Sequence, residues 1–141
     1  LCERKIGEMP SNVSVYYKGE YDHDSVFDLM KDNHVFLFPT FSENYGHVIV
    51  EALLADLPVI ISDQTPWNGV YANGAGYALP LKETGAFTTA VDNYALMDSE
   101  EFEKQRQNVH KYVRCALKLE ELKNKYKSMY SNVIEPSDKG F

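Results

Sequence analysis

Short apolar runs along the chain alternate with longer amphipathic stretches, and the short runs predict β-strands. Residues 13–17 alternate in polarity and are rich in strand-forming side chains. Residues 34–38 form a continuous run that Pro39 ends, and residues 58–63 form another that begins at Pro58. A strand accepts proline as its first residue, and continuous apolar runs are typical of strands buried on both faces. We therefore predict three strands, the last two of them buried.

Helical spacing of apolar residues separates these strands. Residues 22–32 carry apolar side chains at this spacing, and Asp22 or Asp24 is placed to cap the first amides. Residues 48–55 contain one acid among apolar neighbours, which indicates a buried helix. The order strand, helix, strand, helix, strand with short connections predicts a parallel sheet with helices on both faces. The fold class is therefore α/β, of the doubly wound, Rossmann-like type.

The second half of the chain is predicted to be mainly helical. Gly69, Gly74 and Gly76 mark turns around a short strand at residues 77–79 that ends at Pro80, and helical patterns follow at residues 84–97 and 99–133. The apolar stripe of the longer pattern predicts packing along the body of the domain. Residues 1–134 are predicted to form one domain, and residues 135–141 a frayed polar tail.

Composition and charge exclude several classes of function. The 141 residues include 14 Lys+Arg and 21 Asp+Glu, a net charge of −7, which argues against nucleic acid because its phosphates require a dense basic surface. No apolar run approaches the roughly 18 residues of a membrane span, and no signal peptide is recognisable. Cys2 and Cys115 do not make a disulfide framework. We therefore expect a cytoplasmic protein, and Leu1 as first residue suggests a piece of a longer one.

The loop between the second strand and the next helix is the best candidate for chemistry. In open parallel sheets, ligands bind beyond the carboxyl ends of strands, where helix amino termini present unpaired amides and a positive dipole to anions. Gly46 lies where this helix begins and lets the backbone approach a phosphate closely. Glu51 lies five residues further on, roughly 7.5 Å along the helix axis, which is about as far as a ribose lies from its diphosphate.

Glu51 needs a partner because a carboxylate in so apolar a helix is costly to bury alone. The two hydroxyl groups of a sugar diol are one candidate. A lysine, an arginine or a backbone amide of the same protein is the other. Glu43, an acid in a loop, is by itself more simply explained as solvated, so neither glutamate identifies a site on its own.

Together, the two acids resemble a known motif. Glu43, seven intervening residues and Glu51, with Gly46 between them, resemble the acidic motif of the retaining glycosyltransferases of family 4 (group 1). The resemblance includes the strands on either side and covers residues 13–80, about half of the chain. Four residues depart from the common family pattern, and none of these departures removes a charged group of the motif. They are Ser42, Asn44, Tyr45 and Asp56.

The resemblance implies the carboxyl-terminal half of a two-domain enzyme of the GT-B fold, truncated at its amino end. In such enzymes this half binds a nucleotide-sugar donor, and the other half contacts the acceptor, a glycan or a lipid-linked sugar. Carried over to this sequence, Glu51 would hold the ribose hydroxyls, and Glu43, the catalytic residue of the set, would face the hydroxyls of the transferred sugar. Backbone amides for the sugar and the diphosphate would come from Asn44, Tyr45, Gly46, His47 and Val48.

The resemblance further implies transfer of a hexose with retention at the anomeric carbon, without a metal ion or cofactor, in bacterial-type polysaccharide biosynthesis. The complete enzyme would be cytoplasmic or peripheral to the inner membrane. The arginine and lysine with which this family neutralises the diphosphate lie upstream of residues 13–17, and Arg4 and Lys5 do not fit their pattern. We therefore expect these 141 residues alone to be inactive. A sheet that lacks its first strand also exposes an unpaired edge, which favours a dimer through that edge.

Three further features have two interpretations each. Gly19 and Tyr21 follow the first strand, and they line the pocket of the nucleotide base or belong to an ordinary loop. Trp67 follows the third strand and either covers the donor or packs within its own domain. Residues 22–24 resemble a manganese-binding tripeptide, but two carboxylates are too few ligands, and helix capping is the simpler interpretation.

Two other classes of function stay open. One is a sugar-nucleotide or protein binding module of flavodoxin-like fold, without turnover. The other is a regulatory domain of that fold, in which the two glutamates are incidental. Such domains cluster acids at strand ends around a phosphorylatable aspartate, and in this sequence only Asp63 lies at a strand end. A hydrolase has no support, because Ser62 has no histidine partner in a nucleophile pattern.

Overall fold

The computed structural model describes residues 2–134, and for residues 2–4, 23, 24 and 130–134 it describes the backbone alone. None of the helices in this range is long and apolar enough to cross a bilayer. The elements follow in the order α1 (Cys2–Gly7), α2 (His23–Lys31), β1 (Phe36–Phe38), α3 (His47–Leu54), β2 (Val59–Ser62), α4 (Gly69–Ala72), β3 (Gly76–Leu79), α5 (Thr84–Leu96), α6 (Ser99–Ala116) and α7 (Leu119–Ile134).

The three strands form one parallel sheet in the order β1-β2-β3. Phe36 pairs with Val59, and Val59 pairs with Gly76 on the other side. Parallel neighbours require a crossover between them, and α3 and α4 provide it. The carboxyl ends of all three strands therefore lie at the same edge of the sheet, where the connecting loops begin.

Helices cover both faces of the sheet, as the sequence predicts. Val59 and Ile61 belong to the larger apolar core, together with residues of α3, α4 and α6. Ile60 points to the other face and packs with Ala90 and Tyr94 of α5. All four residues of β2 are buried, which agrees with the apolar run that predicts this strand. The α/β fold class, with a Rossmann-like parallel sheet, is confirmed.

The predicted first strand at residues 13–17 is wrong. These residues form no strand, and every residue from 7 to 22 is exposed. β1 and β3 each pair with β2 alone within the described range, so no neighbour offers residues 13–17 a hydrogen-bonded ladder. Strand-forming side chains do not hold an extended segment in place without such a neighbour.

The second predicted strand is shorter and less buried than expected. β1 spans three residues, His34 is exposed, and Leu37 keeps half of its surface in contact with solvent. The reason is that β1 pairs with β2 alone within residues 2–134, so its other edge has no neighbouring strand there. A dimer through this open edge stays a prediction.

The long helical pattern at residues 99–133 is two helices rather than one. α6 ends at Ala116, and Lys118 adopts a left-handed backbone with φ of 50°. Val109 and Val113 bury the apolar stripe of α6, whereas Leu122, Tyr126 and Met129 of α7 stay exposed. The predicted packing along the domain therefore holds for α6 and is wrong for α7, because the turn at Lys118 directs α7 away from the core.

Gly76 allows β3 to approach β2, and its replacement by alanine tests the sheet. A Cβ at residue 76 would lie 2.1 Å from the Val59 carbonyl oxygen. We expect Gly76→Ala to lower the free energy of unfolding by about 2–4 kcal/mol in urea titrations followed by circular dichroism.

The matched control is Gly85→Ala in α5, where an added Cβ meets no atom within 4 Å. This change should leave stability within about 1 kcal/mol of the wild type. Equal stability of the two variants would contradict the close pairing of β2 with β3.

Candidate functional site

Two loops meet at the carboxyl edge of the sheet. Residues 39–46 connect β1 to α3, and residues 63–68 connect β2 to α4. Because β1 and β2 are parallel neighbours, both loops leave the sheet side by side. We call residues 39–46 the acidic loop and residues 63–68 the supporting loop.

The acidic loop closes on itself through Glu43 and Gly46. The Gly46 N–H donates to Glu43 Oε1 at 3.2 Å. Gly46 has φ of 78°, and a Cβ there would crowd Ile49, Glu43 and Trp67 at 3.0 to 3.3 Å. Gly46 is buried. The left-handed turn and the side chains packed against it explain why this residue is a glycine, and close approach of an anion does not. Its amide, one of those expected to face the ligand, is occupied by Glu43.

The residues on either side of Gly46 are accessible. Asn44, Tyr45 and His47 are exposed, and Val48 is half-buried. The Tyr45 and His47 rings lie 4.8 Å apart. The first amides of an α-helix have no intrahelical acceptor and carry the positive end of the helix dipole. His47 and Val48, the first two residues of α3, therefore present the amides best suited to an anion.

Glu51 lies four residues after His47 in α3, and residues four apart lie on the same side of a helix. Helical side chains tilt towards the amino terminus, which directs the Glu51 carboxylate back towards the first turn. Glu51 is half-buried, and its carboxylate has no hydrogen bond or ion pair with the described residues. The described part of the chain therefore contains no lysine, arginine or backbone amide that pairs with the Glu51 carboxylate, which was the alternative interpretation.

Three hydrogen bonds join the supporting loop and the end of β2 to the acidic loop. Ser62 Oγ donates to the Thr40 carbonyl at 2.5 Å, the Glu43 N–H donates to the Gln64 carbonyl at 3.2 Å, and Trp67 Nε1 donates to the Tyr45 carbonyl at 2.6 Å. These bonds fix the backbone of the acidic loop on both sides of Glu43.

Trp67 is buried within its own domain, as the simpler of its two interpretations states. Its ring meets the Tyr112 ring edge-on at 6.4 Å, and burial raises the pKa of the Tyr112 hydroxyl above its usual value. The sequence offers a weak signal for this role: Trp67 is the one tryptophan in the chain and follows a buried strand. Its partner, the Tyr45 carbonyl, has no signal in the sequence because it is backbone.

The two residues considered for the base pocket are separated. Tyr21 lines an open, mainly apolar cavity of about 510 Å³ that also touches Lys18, Met30, Phe36 and Val48. Val48 connects this cavity to the first turn of α3. Gly19 is not among the lining residues, and it has a left-handed backbone with φ of 73°. The structure therefore brings Tyr21, but not Gly19, to the candidate site.

Further candidates lie outside the two glutamates. Asp22 takes the N-cap position of α2, but its side chain makes no capping hydrogen bond, so the capping prediction is wrong for this residue. The side chain of Asp24 lies outside the described residues. Ser62 is fully buried and donates to backbone, and Asp63 accepts from the adjacent Gln64 side chain at 2.6 Å. Where side chains are described, no three His, Cys, Asp or Glu residues are grouped as metal ligands.

The chain matches the family described as glycosyl transferases group 1 over residues 3–115. It therefore belongs to this family. No curated protein and no solved structure matches it significantly. The family match includes both loops, the whole sheet and helices α2 to α5, and it supports a role in glycosyl transfer.

The crowding around Gly46 is tested by comparing it with Gly19. Both have left-handed backbones, but a Cβ at Gly19 meets nothing within 4 Å. Gly19→Ala should lose about 1–2 kcal/mol of stability at most, from backbone strain alone. Gly46→Ala should lose about 1–3 kcal/mol more, because overpacking adds to the strain. Equal losses in urea titrations would show that the acidic loop is not packed as described.

Proposed function

We propose that this chain is the donor-binding half of a retaining glycosyltransferase, which transfers a sugar from a nucleotide-sugar to an acceptor in glycan or polysaccharide biosynthesis. The observation that carries the proposal is Glu51: a half-buried carboxylate without a described partner, on the same helix face as the accessible first turn of α3. Membership of the glycosyl transferases group 1 family gives this arrangement its chemical context.

The donor is proposed to lie along the first two turns of α3. Its diphosphate binds the amides of His47 and Val48, where the helix dipole favours negative charge. Glu51 lies four residues after His47, roughly 6 Å along the helix, so Glu51 reaches the ribose hydroxyls of the same nucleotide. The two ribose hydroxyls donate hydrogen bonds to the Glu51 carboxylate, which has no donor among the described residues.

Glu43 is proposed to face the transferred sugar. A carboxylate has two oxygens with about four acceptor positions. Glu43 uses Oε1 for the Gly46 N–H, and Oε2 can accept from a sugar hydroxyl without breaking that bond. The bond to Gly46 thus orients Glu43 before the donor binds, which lowers the cost of ordering the side chain in the complex.

In the transfer, the bond between the anomeric carbon and the β-phosphate oxygen breaks, and the nucleoside diphosphate leaves with the electron pair. The acceptor hydroxyl oxygen forms the new bond on the same face of the sugar, and its proton passes to the departing phosphate oxygen. Fixed amides near the leaving group stabilise its growing charge, so this proposal needs no metal ion. The nucleotide base is placed against Tyr21, near Val48, and the acceptor against a second domain of the enzyme.

Replacing Glu51 tests the proposed ribose contact. In the complete enzyme, we expect Glu51→Gln to weaken the binding of the tightest of UDP-glucose, GDP-mannose and ADP-glucose by roughly 10- to 100-fold, because hydrogen bonds to a charged group contribute about 1.5–3 kcal/mol. Isothermal titration calorimetry measures this loss. Glu103→Gln, an exposed acid on α6, is the matched control and should bind like the wild type.

The same titrations with the 2′,3′-dideoxy donor locate the contact. The wild type should lose affinity for this donor, whereas Glu51→Gln should bind the two donors almost equally. Full affinity of Glu51→Gln for the ribose donor would contradict the assignment of Glu51.

A further inference from the structure

One peptide unit of the acidic loop, between Tyr45 and Gly46, makes a hydrogen bond in each direction. Its carbonyl oxygen accepts from Trp67 Nε1 at 2.6 Å, and its N–H donates to Glu43 Oε1 at 3.2 Å. A trans peptide is planar, so its C=O and N–H point in opposite directions, and the described backbone contains no cis peptide bond. The group that holds the carbonyl therefore sets the direction of the N–H.

We propose that Trp67 is a positioning residue of the donor site. By holding the Tyr45 carbonyl towards the core, its indole N–H directs the Gly46 N–H outwards to Glu43. Trp67 thus fixes the carboxylate that faces the transferred sugar, although it contacts no reacting atom. This inference rests on the proposed function, and it adds a residue outside the acidic motif.

Trp67 is itself held firmly enough for this role. Its side chain is 7% exposed, and its backbone N–H donates to Thr65 Oγ1, at 3.3 Å, where Thr65 is also buried. The Tyr112 ring packs against the edge of the indole. A side chain enclosed in this way has few alternative rotamers, so the direction of its N–H is determined by the core.

The backbone of Glu43 is fixed by the same loop that carries Trp67. The Glu43 N–H donates to the Gln64 carbonyl, which holds the main chain, while Trp67 acts on the side chain through the peptide at Gly46. Both contacts come from residues 63–68, the supporting loop. Loss of the indole N–H should therefore release the carboxylate while the main chain of Glu43 stays in place.

A measurement without ligand tests the first step. Tyr45–Gly46 is the one Tyr-Gly pair in the chain, so ¹³C-carbonyl tyrosine combined with ¹⁵N-glycine isolates this peptide unit in NMR spectra. In the complete enzyme, Gly46→Ala identifies its signal. Trp67→Phe keeps a ring but removes the N–H, and we expect the Gly46 amide to shift and to exchange with solvent about tenfold faster. An unchanged Gly46 signal in this variant overturns the inference.

The matched control is Tyr94→Phe. Tyr94 is a buried aromatic residue on the opposite face of the sheet, and its hydroxyl accepts from Gln105 Nε2 at 3.1 Å. The variant also loses one side-chain hydrogen bond from a core ring. It should leave the Tyr45–Gly46 signal and donor binding unchanged. A change as large as that of Trp67→Phe overturns the inference, because it would show a general effect of core destabilisation.

Calorimetry tests the second step. Trp67→Phe should weaken nucleotide-sugar binding about five- to tenfold but change the affinity for the free nucleoside diphosphate less than twofold, because Glu43 faces the sugar. In a Glu43→Gln background, Trp67→Phe should have less than a twofold effect, since the two residues act in one chain of contacts. Equal weakening of both ligands overturns the positioning role.

Failure of the proposed function gives a different result. The wild type would then bind none of UDP-glucose, GDP-mannose and ADP-glucose. In that case the proposed role of Trp67 in the donor site would be wrong as well. The labelled peptide unit would still respond to Trp67→Phe, because that response needs no ligand. Binding by the wild type with an unresponsive peptide unit overturns the Trp67 inference alone.

Discussion

The parallel pairing of β1 with β2 is the constraint on which the site depends. It places Phe38 and Ser62 at the same edge of the sheet, so the acidic loop and the supporting loop leave side by side. The crossover helix α3 then has to begin at this edge, which puts its unpaired first amides beside the acidic loop. An antiparallel arrangement of these strands would place the two loops at opposite ends of the sheet.

The sequence correctly predicts those helices and strands that are buried along most of their length. β2 is buried along its whole length, and α3 is apolar on most sides, so continuous apolar runs identify both. Residues 13–17 have the composition of a strand but no neighbour to pair with in the described range, and pairing is a contact between distant parts of the chain. The break at Lys118 escapes prediction for a related reason, because lysine carries no turn signal and the backbone there is left-handed.

For the candidate site, the sequence identifies the acids but not what holds them. The spacing of Glu43 and Glu51 around Gly46 indicates both residues once the strands on either side are in register with it. The bond from Gly46 to Glu43, and the bond from Trp67 to the Tyr45 carbonyl, involve backbone groups, which look alike in every sequence. The expectation that Gly46 faces the ligand stays a prediction, and its amide already donates to Glu43. Glycine permits a left-handed turn as readily as a close approach, and here the turn explains it.

A crystal structure of the complete enzyme with bound nucleoside diphosphate will show whether the donor lies along the start of α3. We expect diphosphate oxygens within hydrogen-bond distance of the His47 and Val48 amides, at roughly 2.7–3.2 Å, and ribose hydroxyls on the Glu51 carboxylate. A nucleotide bound elsewhere on the protein, with Glu51 facing solvent alone, would contradict it.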